Sequence, residues 1–179
     1  MLSKLIIEQV IDSQKERLNQ LETGLLREVS GYTTLTSHAL IVTGIRRCGK
    51  STLLQQINKS INEPSIYLNF EDPRLAGFDT GDFNRFQEVV TSRKTECLFF
   101  DEIQNTEKWE NFVRFRLDEG YRIFITGSNA SMLSRELGTK LTGRHISKEL
   151  FPFSFSEYLA FTGQNGSAES ADNYCQQGG

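Results

Sequence analysis

A lysine and a serine, Lys50 and Ser51, close the run Gly44-Ile45-Arg46-Arg47-Cys48-Gly49-Lys50-Ser51, which fits the pattern G-x-x-x-x-G-K-S/T. The chemistry this spacing suits is the cradling of phosphate. Gly44 and Gly49 let the backbone curl so that consecutive N–H groups point inward at phosphate oxygens. Lys50 would reach the β- and γ-phosphates, and the Ser51 hydroxyl would ligate Mg²⁺. The expected nucleotide-contacting residues are Gly44, Ile45, Arg46, Arg47, Cys48, Gly49, Lys50, Ser51 and Thr52. Cys48 lies inside the loop, so alkylation there would block nucleotide.

Adjacent acids form a second constellation. Cys97-Leu98-Phe99-Phe100-Asp101-Glu102 is an apolar run closed by two carboxylates. Asp101 suits a second Mg²⁺ contact, made through water. Glu102, next in the chain, would orient and deprotonate an attacking water. A third run, Arg122 to Asn129, ends in Thr126-Gly127-Ser128-Asn129. Ser128 and Asn129 would stand beside the γ-phosphate, since ligands gather at the carboxyl ends of parallel strands. An amide such as Asn129 can donate to phosphate and accept from water. Either residue could equally cap a helix starting near Ala130.

These residues need elements to hold them. Ala39-Leu40-Ile41-Val42-Thr43 reads as a buried parallel strand before the loop, and Thr52 to Ile57 carries apolar residues at helical spacing after it. The helix beginning near Lys50 would add its positive dipole end to the phosphate site. Upstream, Glu8 to Gln20 is a polar amphipathic helix with Val10, Ile11, Leu18 and Leu21 as its stripe. Further strands are expected at Ser65–Phe70, around Leu98 and Ile123, and at Arg144–Leu150, with helices near Phe83–Ser92 and Trp109–Glu119 between them. This alternation gives an α/β fold with a parallel sheet covered on both faces. After Phe161 the chain turns polar and glycine-rich, which reads as a flexible loop.

The three constellations together resemble the AAA+ superfamily of P-loop ATPases. Gly44–Ser51 corresponds to its first nucleotide motif, Phe99–Glu102 to its second and Thr126–Asn129 to its polar sensor strand. Leu68-Asn69-Phe70-Glu71-Asp72-Pro73-Arg74-Leu75, Leu141-Thr142-Gly143-Arg144 and Phe151-Pro152-Phe153-Ser154-Phe155-Ser156-Glu157-Tyr158 are similar to a bacterial and archaeal family. In that family an AAA-type ATPase domain is followed by a nuclease-like C-terminal domain of uncharacterised function. The resemblance covers roughly residues 20–179. It implies a three-layer P-loop fold whose five strands run in the order 5-1-4-3-2, Mg²⁺-dependent hydrolysis of ATP to ADP, and a cytoplasmic protein. It implies a division into an N-terminal helix over residues 1–22, an ATPase core over 23–161 and a polar loop over 162–179 leading into a further part. The chain is thus expected to be an N-terminal fragment. Arg144 resembles the place of an arginine finger or sensor arginine, acting in cis or across a homo-oligomer boundary. The alternative for Arg144 is an exposed strand-edge residue paired with a carboxylate.

Composition narrows the partners. A net charge of −3 gives no global case for nucleic acid, although Arg135, Lys140, Arg144, His145 and Lys148 form a mildly basic stretch. No apolar run approaches the ~20 residues needed to span a bilayer. Cys48, Cys97 and Cys175 are few, odd in number and far apart, which reads as free thiols. Arg46 and Arg47 could meet phosphate, a neighbouring subunit or solvent. Glu71 and Asp72 suit a turn before Pro73, or a water-mediated role that positions Arg46. Trp109 reads as a packing anchor. A guanine site lacks its Asn-Lys-x-Asp run. A non-hydrolysing ATP switch and a nucleic-acid-stimulated motor remain as alternatives to an ATPase.

Overall fold

Four short, mostly apolar runs and one polar edge run, His145–Glu149, assemble one parallel sheet. The computed structural model describes residues 1–27, 31–128, 141 and 143–177. Its strands are β1 (Ala39–Thr43), β2 (Ser65–Asn69), β3 (Cys97–Asp101), β4 (Arg122–Thr126) and β5 (His145–Glu149). They lie in the order β2-β3-β4-β1-β5, every neighbouring pair parallel, which is the 5-1-4-3-2 order expected above. The helices are α1 (Lys4–Gln20), α2 (Lys50–Ser60), α3 (Thr80–Ser92), α4 (Trp109–Asp118), α5 (Phe155–Thr162) and α6 (Ala168–Gln177).

The period-2 alternation of the strands divides the core between the two faces of the sheet. Leu98 and Phe100 join Ile41, Ile123 and Ile125 on one face, against Ile7 and Val10 of α1, Phe86 of α3 and Val113 of α4. Trp109 is buried in this cluster, the packing anchor expected. Cys97 and Phe99 join Leu40, Val42 and Phe124 on the other, against Leu53, Leu54 and Ile57 of α2. Burial on both faces explains why these strands read as continuous apolar runs rather than alternating ones. β5 is an edge strand and mostly exposed.

Helix α1 guards the opposite edge. Gln14 accepts from the Asn69 N–H at 2.8 Å and donates to the Asn69 carbonyl at 3.2 Å, so a side-chain amide continues the ladder that β2 would otherwise leave open. The helix starts at Lys4 rather than near Glu8, because Ser3 caps it by accepting from the Ile6 N–H.

The end of the chain corrects the loop expected over 162–179. Two helices close it, α5 and then α6. Ser154 and Glu157 cap the start of α5 reciprocally. Ser167 and Ser170 exchange hydrogen bonds at the start of α6, and the Tyr174 hydroxyl donates to the Phe153 carbonyl at 2.7 Å. Polar composition concealed a helix whose hold on α5 runs through one aromatic side chain, Tyr174, packed against Phe155 and Tyr158. No helix among the described residues is long and apolar enough to cross a membrane.

Candidate nucleotide site

All strands being parallel, their carboxyl ends share one rim, and Lys50, Asp101, Glu102 and Ser128 meet there. β1 ends at Thr43 and the chain turns at Gly44, whose φ is +147°. A Cβ on Gly44 would stand 2.2 Å from the Leu150 carbonyl oxygen, so the close approach of the loop to the chain after β5 requires glycine. The loop passes through Arg47 at φ 68° and Gly49 at φ 95° before α2 begins at Lys50. Lys50 is buried and bends back over the loop, donating to the carbonyls of Gly44 at 3.1 Å and Ile45 at 3.0 Å. Its ammonium lies 4.0 Å from Glu102 Oε1. A phosphate group arriving in the loop would offer that ammonium stronger acceptors than carbonyls.

The two acids sit on β3 and just past it. Asp101 is fully buried, and each of its carboxylate oxygens accepts a hydroxyl: Thr126 at Oδ1 and Tyr67, at 2.5 Å, at Oδ2. Burial, with the Asp101 charge adding to it, pushes the Tyr67 phenol far above its ordinary range, so Tyr67 stays a donor. Glu102 adopts left-handed backbone angles, φ 51° and ψ 48°, which turn its side chain away from the course of β3. Its N–H donates to Thr126 Oγ1 at 3.1 Å. Its Oε2 accepts from the Ser128 N–H at 3.1 Å and from Gln104 Nε2 at 2.5 Å.

Ser51 and Asp101 line one cavity of about 450 Å³ with Tyr67, Asn69 and Arg17. Among the described residues no group of three or more His, Cys, Asp and Glu side chains could hold a metal ion. One hydroxyl and one carboxylate are hard oxygen ligands, and they fit an ion such as Mg²⁺ that takes its remaining ligands from water and phosphate.

A profile of the AAA domain matches residues 36–159, more than half of the chain. The chain belongs to the AAA domain family. It is similar to an uncharacterised protein of Methanocaldococcus jannaschii, 43% identical over 127 residues, 70% of this chain and 29% of that protein. Another relative is an uncharacterised protein of Haemophilus influenzae, 38% identical over 134 residues, 69% of this chain and 34% of that one. The chain therefore spans about a third of the length of these curated relatives. Among solved structures, DnaA from Aquifex aeolicus bound to AMPPCP superposes with a TM-score of 0.51 at 14% identity, over 91% of this chain and 53% of DnaA. A RuvB variant from Thermotoga maritima does so at 0.50 and 21%, over 86% of this chain and 48% of RuvB. These likenesses show the AAA+ P-loop ATPase fold, in keeping with the family match.

Not every expected residue of the AAA domain reaches the site. Asn129 lies outside the described residues, as do Arg135, Lys140 and Thr142. Arg144 stands at the other end of the sheet. It precedes β5, whose His145 pairs with Ala39 at the start of β1, while the phosphate loop follows the far end of β1. Four strand steps at ~3.3 Å put roughly 13 Å between those levels. The Arg144 guanidinium instead pairs with Asp118 at the end of α4, both side chains largely exposed. This pairing matches the alternative given for Arg144, an exposed strand-edge residue held by a carboxylate. Asp72 caps the turn Pro73–Leu75 and holds Arg74, whose guanidinium lowers the Asp72 carboxyl to about 2. Arg74, not Arg46, is the arginine that Asp72 holds.

Several contacts within the AAA domain escaped the motif reading. Tyr67, Thr126 and Gln104 contact the two acids, and Thr126 is discoverable from register, one step beyond Phe100↔Ile125 and therefore opposite Asp101. A second cavity, of about 440 Å³, opens beside Arg47, Cys48, Gly49 and Thr52. Leu25, Phe153, Tyr158, Phe161 and Tyr174 supply its apolar wall. Its other wall, the segment after α1, is clamped by Gln56, which donates to the carbonyls of Thr23 and Leu25 and accepts from the Arg27 N–H. Apolar walls with a few polar groups suit a heterocyclic base and its sugar.

Proposed function

We propose that this AAA domain binds ATP with Mg²⁺ and hydrolyses it to ADP and phosphate. The observation that carries the proposal is the convergence of Lys50, Asp101, Glu102 and Ser128 at one rim, with Glu102 Oε2 held by two donors and Oε1 turned toward Lys50. In this reading the loop N–H groups and Lys50 bind the phosphates, and the base and ribose occupy the cavity walled by Phe153, Tyr158 and Phe161. Ser51 and Asp101 would hold the Mg²⁺, which supplies positive charge at the phosphate oxygens when bound. Lys50 then leaves the Gly44 and Ile45 carbonyls for phosphate, and Glu102 Oε1 is freed to take a proton from the attacking water. Water oxygen bonds to the γ-phosphorus as the bridge to the β-phosphate breaks. Ser128, and Asn129 beside it, would orient that water. Arg144 would act only on a neighbouring copy, which its distance from its own loop supports. Hydrolysis would be coupled to an effector or client, which in relatives roughly three times as long could lie beyond this domain.

The test is ATP turnover with Mg²⁺ by the wild type and by Glu102→Gln, over a range of protein concentrations, with nucleotide binding followed in parallel. Turnover should fall by ~10²–10⁴ in the variant while ATP binding persists. Specific activity should rise with concentration if Arg144 serves a neighbour. Equal turnover in both proteins would remove Glu102 as the base, and no turnover in the wild type despite tight binding would replace hydrolysis with a nucleotide switch. DnaA has been solved with AMPPCP and single-stranded DNA, and stimulation by single-stranded DNA in the same assay would favour the nucleic-acid reading.

A further inference from the structure

Gln104 lies two residues past the candidate base, in the turn Ile103–Asn105, and no phosphate-loop motif assigns it a role. Its Nε2 donates to Glu102 Oε2 at 2.5 Å and to Ser128 Oγ at 3.2 Å, so one amide ties together the acid after β3 and the serine after β4. The other end of the amide is as informative. Gln104 Oε1 is buried and accepts from no donor among the described residues. Turning the amide over would set that oxygen against the Glu102 carboxylate, so the donor end is fixed where it is. A buried acceptor without a donor is unfavourable and calls for an explanation in the molecule's work.

We propose that Gln104 is the positioning residue of Glu102: it fixes Oε2 so that Oε1 is the atom that takes the proton. The proposal rests on the hydrolytic reading above. With Lys50 drawn onto phosphate, a water at Glu102 Oε1 can give one hydrogen to that atom. Its lone pair then faces the γ-phosphorus. The O–P bond forms, the bond from the γ-phosphorus to the β-γ bridging oxygen breaks, the departing electron pair stays on ADP, and the water's proton goes to Glu102. Gln104 itself gains and loses nothing.

The experiment measures kcat, KM and ATP affinity for the protein at its full natural length, in Gln104→Ala, in the isosteric Gln104→Glu, and in Gln104→Ala combined with Glu102→Gln. The expected result is a kcat lowered about tenfold or more in both single variants, a part of the ~10²–10⁴ that a general base contributes. ATP affinity should be unchanged in both. On the Glu102→Gln background, Gln104→Ala should cost nothing further, because its effect passes through that carboxylate. Unchanged or faster turnover in Gln104→Ala overturns the proposal, and so does full activity in Gln104→Glu, which would reveal a packing role. An additive loss in the double variant overturns it as well. Wild-type protein that binds ATP without turnover removes the hydrolytic reading, and this assignment with it; the other outcomes leave that reading standing.

Discussion

At the amino end of the sheet Arg122 is enclosed by Glu63 and by the carbonyls of Leu35 and Thr33, whereas at the carboxyl end Lys50 stands 4.0 Å from Glu102 and bonds to carbonyls of its own loop. Cys97 completes the first cluster by donating to Glu63 at 3.0 Å. Burial, together with that bond to Glu63, pushes the Cys97 thiol up to about 12, so it adds no negative charge beside Glu63 at neutral pH. The first arrangement is closed, its charges neutralised by partners already present. The second contains a cation whose partners are replaceable and a carboxylate with one oxygen held and one turned toward the cation. A closed cluster can do no more than fasten the segment around Thr33 and Leu35 to the sheet. An open one can exchange its partners for a ligand.

The largest break in that comparison should come from the backbone. If the carboxyl end is shaped by loop geometry rather than by ion pairs, Gly44→Ala is the severest change there. A Cβ would meet the Leu150 carbonyl at 2.2 Å and a φ of +147° is strained for alanine. We expect about 3 kcal/mol of destabilisation from strain and overpacking, measured by denaturant unfolding, with nucleotide binding lost in titration. Native stability with intact binding would show that the loop shape is not what holds the site.

The opposite pattern is expected at the amino end. Arg122→Ala leaves two carbonyls without their donor and Glu63 with the Cys97 thiol alone of its two named donors, and Glu63 is partly exposed, so water recovers some of the loss. A drop of roughly 2 kcal/mol in stability is expected, below the ~3–5 kcal/mol for breaking a fully buried pair. ATP affinity and turnover should be unchanged. A variant that folds normally but turns over poorly would erase the distinction between the two ends.

This contrast also explains what the sequence could and could not tell. The loop, the Asp101–Glu102 pair and the polar end of β4 are local signals, each residue contributing through its own type and its neighbours in the chain. The strand order came from resemblance, since spacing fixes which segments are strands but not which lie side by side. What went unread depends on long-range contact. Tyr67 reaches Asp101 across 34 residues, and Gln56 clamps a segment 31 to 33 residues upstream. The pairing of Arg144 with Asp118 and its distance from the loop follow from parallel registration, which sends the start of β5 to the far rim. Helix α6 was missed because a single tyrosine, rather than an apolar stripe, fastens it to α5.

Asp72 provides the finest probe of the comparison, because it lies at the carboxyl rim yet is paired in the closed manner. It borders the cavity that contains Ser51 and Asp101, but Arg74 and Gln14 Nε2 already engage its carboxylate. Hydrogen bonding by Arg74 lowers its carboxyl to about 2, below the ~3.9 of an unfolded chain. A depressed carboxyl stabilises the fold fully above the unfolded value and loses that contribution as pH falls through the folded one. The stability difference between wild type and Asp72→Asn should therefore be constant from neutral pH down to about 5 and shrink between about 4 and 2, as read from urea unfolding at each pH. Nucleotide affinity at neutral pH should not change, since the partners of Asp72 are protein groups that remain in place. A difference that stays flat across the acid range would mean that the pair contributes nothing to the fold. A loss of affinity would mean that Asp72 belongs with the exchangeable charges of the site rather than with the fixed ones around Arg122.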